Sequence, residues 1–177
     1  GILLHKSGKN VNDNLRFVVF VVETLMGVYK HNGLLKASVM SATNDHRLGA
    51  NEAPPAIISV FLGDELTTVL SNIAYKKDAP VSESSKVNLS VDVLPTFNMD
   101  AGDRNRTSPF AFTGNKFEFR MPGSSSTPAT TAAVINAMVG KVLSEYADKL
   151  EKATEKSLPK VINEIIANSY KKHHRII

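Results

Sequence analysis

Apolar side chains recur every three or four residues along four stretches of the chain, 15–29, 66–73, 133–150 and 161–166. Each stretch predicts an amphipathic helix with one buried face. A further short helix is predicted over 34–40, after the polar break that follows the first stretch. Three charged residues fall off the apolar stripe of the first helix: Arg16, Glu23 and Lys30.

Polar residues mark where these helices should begin. Asn12 or Asp13 can cap the first helix, and Asp64 can cap the helix over 65–74, because a side-chain oxygen accepts a hydrogen bond from a free backbone N–H. Thr127 followed by Pro128 predicts the start of the long helix. The chain is therefore expected to be rich in helix.

Strand patterns are found between these helices. The run 56–62 is apolar and partly β-branched, which predicts a buried strand. The segment 87–94 alternates valine and leucine with polar residues, which predicts a strand with one buried face. Helices and strands in this order favour the α+β class.

A third strand pattern carries the candidate chemistry. Lys116, Glu118 and Arg120 alternate with Phe117 and Phe119, so the charged side chains share one face and the phenylalanines enter a core on the other. A guanidinium matches phosphate and carboxylate oxygens, and a carboxylate between cations suits a hard metal such as Mg²⁺. The alternative is an ordinary outer strand face with solvated salt bridges.

Two loops add charged groups. Arg104 and Arg106 precede this strand, and the polar loop 41–55 carries Arg47 and Glu52 on either side of a glycine that lets the backbone fold. Because the backbone can fold at this glycine, the side chains of Arg47 and Glu52 can face one ligand. A surface loop with a solvated ion pair remains the alternative there.

Composition limits the classes of function. A length of 177 residues suits one domain, and the absence of cysteine excludes disulfides, thiolate nucleophiles and cysteine zinc sites. The formal charge of +4 is modest and its one cluster, 171–175, suits the end of a helix dipole better than a phosphate-binding tail or a nucleic-acid footprint. The longest apolar run, 17–22, is too short for a membrane span, so a cytoplasmic protein is expected.

Two stretches resemble a known family. Residues 44–59, Asn-Asp-His-Arg-Leu-Gly-Ala-Asn-Glu-Ala-Pro-Pro-Ala-Ile-Ile-Ser, and residues 103–121, Asp-Arg-Asn-Arg-Thr-Ser-Pro-Phe-Ala-Phe-Thr-Gly-Asn-Lys-Phe-Glu-Phe-Arg-Met, are similar to signatures of type III glutamine synthetases. The resemblance implies ATP-dependent amidation of glutamate by ammonia through γ-glutamyl phosphate, with Mg²⁺ or Mn²⁺. It also implies a largely antiparallel sheet that forms the substrate face with helices packed outside, and a homo-oligomer, usually a double-ring dodecamer.

The resemblance assigns roles to the charged strand and the loop before it. Glu118 corresponds to a late carboxylate ligand of the metal ion that holds the γ-phosphate. Arg120 corresponds to the arginine that stabilises the transferring phosphoryl group and the glutamate side. Lys116 falls at a basic contact to the ATP phosphates, Arg106 is aimed at phosphates, and Arg104 supports it.

The earlier loop receives two roles from the same resemblance. Arg47 corresponds to a clamp on the glutamate carboxylate. Glu52 corresponds to the loop glutamate that closes the site and accepts a proton from the attacking ammonium.

The family's earlier half has no counterpart in the chain, including its N-terminal β-grasp domain and first metal-binding strands. Residues 1–177 are therefore expected to be a single partial domain, the C-terminal part of the catalytic domain, and inactive alone. One carboxylate cannot hold two divalent ions, since each takes about six oxygen ligands. The alternatives are a related carboxylate-amine ligase, a non-catalytic remnant that binds a partner or drives oligomerisation, and a basic nucleic-acid module.

Overall fold

The computed structural model describes residues 2–3, 11–40, 58–75, 108–113, 116–123 and 126–177. Within these ranges the chain forms several helices and a small four-stranded sheet. The helices are α1 (Val11–Lys30), α2 (Asn32–Ala37), α3 (Asp64–Tyr75), α4 (Ala129–Glu151) and α5 (Leu158–His173), with a 3-10 turn over His174–Ile176. The strands are β1 (Ile2–Leu3), β2 (Val60–Phe61), β3 (Phe110–Phe112) and β4 (Lys116–Phe119).

Helix α1 lies at the centre of the described fold and packs against both α4 and α5. Its middle is buried on nearly every side, with Phe17, Val18, Val21 and Val28 fully enclosed. β-Branched residues are moderate helix formers, so packing of this kind, rather than intrinsic propensity, stabilises the helix.

Burial on all sides overturns one expectation from the apolar stripe of α1. Glu23 falls off that stripe, yet the structure places it at 0% exposure among the core residues. The stripe predicted only the face that meets one neighbour, whereas α1 is covered by two helices and the sheet. The interpretation of Glu23 as lying off the buried surface is therefore wrong.

Local signals position the ends of the helices. Gly63 has a φ of 81°, a left-handed conformation that suits glycine, and it joins β2 to α3. The side-chain amide of Asn32, the first residue of α2, donates to the carbonyl of Ile58 just before β2 at 3.3 Å. At α4 the N-cap position is held by Pro128 and not by Thr127 as predicted, and no side chain caps the helix there. The Thr127 hydroxyl, one residue earlier, accepts a hydrogen bond from the backbone N–H of Ala129 at 3.3 Å.

The described sheet has the order β1-β4-β3-β2. Strands β1 and β3 both pair antiparallel with β4, while β2 pairs parallel with β3. The Ser108 hydroxyl reinforces the β2–β3 edge, since it lies 3.2 Å from the carbonyl of Ser59. The sheet is therefore mixed in direction.

The mixture of helix and strand expected from the sequence is confirmed. A largely antiparallel sheet is not, since one of the three described pairings is parallel. The strand over 60–61 is shorter than the predicted 56–62, of which 56 and 57 lie outside the described residues. The predicted strand 87–94 lies wholly outside them.

Candidate functional site

The charged strand β4 brings three of the candidate residues together. The Lys116 ammonium nitrogen lies 3.1 Å from Oε1 of Glu118, and a terminal guanidinium nitrogen of Arg120 lies 3.2 Å from Oε2 of the same carboxylate. Each carboxylate oxygen therefore contacts one cation. We call these three residues the β4 triad.

Strand geometry explains the arrangement. Side chains alternate between the faces of a strand, so residues two apart point the same way and lie next to one another. The intervening Phe117 points into the core, where its ring stacks on that of Phe110 with centroids 5.0 Å apart. Phe119 is partly buried and contacts Phe110 edge-on at 5.7 Å. The aromatic face thus anchors the strand that presents the triad.

Backbone pairing fixes the triad from the other side. The Thr113 N–H donates to the carbonyl of Lys116 at 2.9 Å, and the Arg120 N–H donates to the carbonyl of Pro109 at 2.8 Å, so hydrogen bonds at both ends of β4 reach the residues that flank β3. Ala111 of β3 lies directly opposite Glu118 and is fully buried. Its small side chain shares the face of the Glu118 carboxylate.

The electrostatics of the triad favour an ionised carboxylate. The hydrogen bond from Lys116 lowers the pKa of Glu118, partial burial opposes that effect, and Arg120 lowers the pKa further. Two cations and one carboxylate leave the triad with a net positive charge at neutral pH. The side chains of Lys116 and Glu118 are 45% and 38% exposed, so the charge is accessible to a ligand in solvent. The triad can therefore receive an anion.

The triad alone is a poor cage for a divalent ion. Mg²⁺ prefers about six oxygen ligands, several of them water, and Glu118 supplies one carboxylate whose two oxygens already contact cations. Among the described residues no group of three histidine, cysteine, aspartate or glutamate side chains is placed to hold a metal. Glu118 fits as one ligand of a metal whose remaining ligands come from other residues.

The other sequence-predicted site residues are Arg47, Glu52, Arg104 and Arg106. All four lie outside the described residues, so their roles stay predictions.

Two features of the site were missed at the level of sequence. Strand β3 and its Ala111 were not predicted, although the aromatic alternation at 110–112 followed by the Gly114-Asn115 pair is typical of a hairpin.

No described helix combines the length and apolar character that a membrane span requires.

Comparisons with known proteins confirm the resemblance carried by the two loop motifs. The chain is 46% identical over 90% of its length to a glutamine synthetase of Bacteroides fragilis (strain YCH46) and 42% identical over its full length to a type-3 glutamine synthetase of Dictyostelium discoideum. A glutamine synthetase of Butyrivibrio fibrisolvens is 38% identical over the full length. A scan against protein-family models found no match.

The chain spans only 22% to 25% of the length of these curated relatives. That share is consistent with the C-terminal part of a type III glutamine synthetase.

Proposed function

We propose, from the similarity of the whole chain to glutamine synthetases, that it forms part of an active site for ATP-dependent amidation of glutamate by ammonia. The observation that carries the proposal is the β4 triad, in which Glu118 is held between Lys116 and Arg120 on one strand face. The reaction proceeds through a γ-glutamyl phosphate, so the site must bind phosphate, carboxylate and a divalent ion at once.

The triad supplies what phosphoryl transfer demands of a protein. The reaction needs positioned positive charge around the equatorial phosphate oxygens more than covalent chemistry. Arg120 faces the transferring phosphoryl group and the glutamate side, and Lys116 contacts the ATP phosphates. Glu118 contributes one oxygen to Mg²⁺ or Mn²⁺, which neutralises phosphate charge when it is bound.

The two loops complete the proposed site. Arg104 and Arg106 bind phosphate oxygens, and Arg47 binds the carboxylate of glutamate. Glu52 accepts a proton from ammonium and keeps water from the acyl phosphate, which water would otherwise hydrolyse. These four roles rest on the resemblance of residues 44–59 and 103–121.

The proposed unit is a partial domain of a cytoplasmic homo-oligomer. The relatives are about four times as long as this chain. We propose that the remaining metal ligands come from the family's first metal-binding strands, which the chain does not contain, and that the N-terminal β-grasp domain, also absent from the chain, completes the site of a neighbouring subunit. The whole enzyme then acts as a ligase in nitrogen assimilation.

Nucleotide binding tests the role of the triad. Binding of ATP to the purified 177-residue chain is measured by calorimetry with and without Mg²⁺, after circular dichroism has shown that the chain is folded. Lys116→Met should weaken ATP binding, since it removes a phosphate contact. Glu118→Gln should abolish the gain in affinity that Mg²⁺ provides. Lys156→Met and Glu155→Gln, at exposed positions on the loop after α4, are the matched controls.

The outcomes separate the proposal from its rivals. Affinity unchanged in both triad variants would remove the triad from the nucleotide site. A folded chain that binds no nucleotide at all would favour a remnant that only binds a partner, a reading supported by the single carboxylate of the described site. Glutamine formation in a mixture with ATP, glutamate and ammonium would show that the chain is active alone, and preference for another amine would indicate a related carboxylate-amine ligase.

A further inference from the structure

A buried carboxyl group lies in the middle of α1, away from the β4 triad. Glu23 is 0% exposed, and neither of its side-chain oxygens has a hydrogen-bond partner. Just after the end of α1, the Nε2 atom of His31 is also buried without a hydrogen-bond partner. An ionised carboxylate in such surroundings is strongly unfavourable, so the group is expected to keep its proton.

The surroundings of Glu23 raise its pKa from an ordinary 4.5 to about 8. Burial is the main cause and the negative charge of Glu145 on α4 acts in the same direction, whereas Lys30 on α1 opposes them. The Lys30 ammonium is already engaged by Glu145, at 2.6 Å. Helix α5, which also packs on α1, brings His173 into the field of Lys30.

Close packing of α1 on α4 excludes water from this position. Gly27 lies one turn after Glu23 on the same face of α1, and a Cβ atom added to it would lie 3.6 Å from Cγ of Met138 on α4. Such an approach leaves little room for solvent between the helices. Separation of the two helices is therefore the natural route by which Glu23 reaches water.

We propose that the contact between α1 and α4 is a proton-controlled latch, closed while the Glu23 carboxyl carries its proton and loosened when that proton is lost. The closed contact holds the neutral acid between the helices. Loss of the proton leaves a charge that only an opened, hydrated state accommodates. The latch links the position of α4, which follows the triad strand in the chain, to pH.

The direction of the effect follows from proton linkage. Opening returns the Glu23 carboxyl to an ordinary environment, where it binds its proton less tightly than in the closed state. The closed state is fully stabilised below the ordinary carboxyl pKa and loses that stabilisation as pH rises through the pKa of the closed state. The fraction of open molecules should rise about tenfold per pH unit between about pH 5.5 and 7.5.

A thiol probe tests the latch, because the chain has no cysteine of its own. Met138→Cys places a thiol where α4 packs against Gly27 of α1, and the rate of its reaction with a thiol reagent reports opening. The measurement is made on Met138→Cys alone, which keeps Glu23, and on Met138→Cys combined with Glu23→Gln, since glutamine has the same shape as glutamate and no titrating proton. The ratio of the two rates at each pH cancels the ionisation of the thiol itself.

The rate ratio should rise about tenfold per pH unit over the stated interval, and the Glu23→Gln protein should supply a flat reference. A ratio independent of pH would overturn the proposal. An equal rise at a second probe on α5, Ile166→Cys, would also overturn it, since the opening would then be global unfolding. If a cysteine variant fails to fold, amide hydrogen exchange of α4 and α5 in the cysteine-free chain and its Glu23→Gln variant gives the same comparison.

Discussion

Truncation of Phe117 tests whether the aromatic face of β4 anchors the triad. Its side chain is 1% exposed, stacks on Phe110 at 5.0 Å and contacts Phe112 at 5.4 Å. Removal of a buried phenylalanine ring costs about 3–5 kcal/mol, because apolar burial is lost and a cavity remains. Each aromatic pair accounts for roughly 0.5–1.5 kcal/mol of the loss. Phe117→Ala should therefore lower the free energy of unfolding by several kcal/mol.

The assay is urea unfolding followed by far-ultraviolet circular dichroism, since the chain contains no tryptophan. With a urea dependence of about 1–3 kcal/mol per molar, the midpoint should fall by more than about 1 M. Phe119→Ala is the matched control, because Phe119 lies on the same face of the same strand but is only partly buried. Its loss should be smaller, because less apolar surface is buried at this position.

An equal or larger loss for Phe119→Ala would refute the argument that Phe117 is the anchor. A loss under about 1 kcal/mol for Phe117→Ala would refute it as well, since the ring would then not lie in a packed core. If Phe117→Ala does not fold, leucine variants are used instead. Phe117→Leu should then lower the free energy of unfolding more than Phe119→Leu does, with both losses smaller than those of the alanine variants.

Three further predictions concern the rest of the described fold. Burial lowers the pKa of His173, so at acidic pH the unfolded chain binds more protons than the folded chain, and stability should fall as the pH is lowered. The loss is measured as the fall in the urea midpoint between pH 7.5 and pH 5.5, and it should be smaller for His173→Gln than for the unaltered chain. Ser108→Ala removes a buried hydroxyl 3.2 Å from the carbonyl of Ser59 and should cost about 1 kcal/mol in the same assay. Lys30→Met breaks the pair with Glu145, whose side chains are 36% and 37% exposed, and should cost only about 0.2–1 kcal/mol by thermal unfolding. A larger cost would mean that Lys30 also supports a charged Glu23.

Periodic patterns predicted the parts of the fold that local sequence decides. Helix α3 spans Asp64–Tyr75 where the apolar spacing predicted 65–74, and β4 spans Lys116–Phe119 where the alternation predicted a strand. The shared face of the triad followed from the same period of two. In each case one face of the element is packed against the core and the other is exposed to solvent, so the spacing of apolar residues is enough to predict the type of element.

Features decided by distant parts of the chain were not predicted. The three residues of β3 are all buried, so they alternate in aromatic character but not in polarity, and the sequence gives no sign that they also pair with β2, far upstream. Glu23 looks like any surface charge on a helix, because only the docking of α4 and α5 covers it. The sequence shows which face of an element is apolar but not how many neighbours cover it.

The order of strands in the sheet has a consequence for the path by which the chain folds. Strands β3 and β4 are joined by a tight hairpin, which pairs Phe112 with Phe117, whereas β2 and β3 pair across about fifty residues and β1 and β4 across more than a hundred. Hairpins close in roughly 1–10 μs, and pairings across long loops form later because loop closure costs entropy. We expect the hairpin to be an early local nucleus, so the strand that carries the charged residues should exist before the rest of the sheet assembles around it.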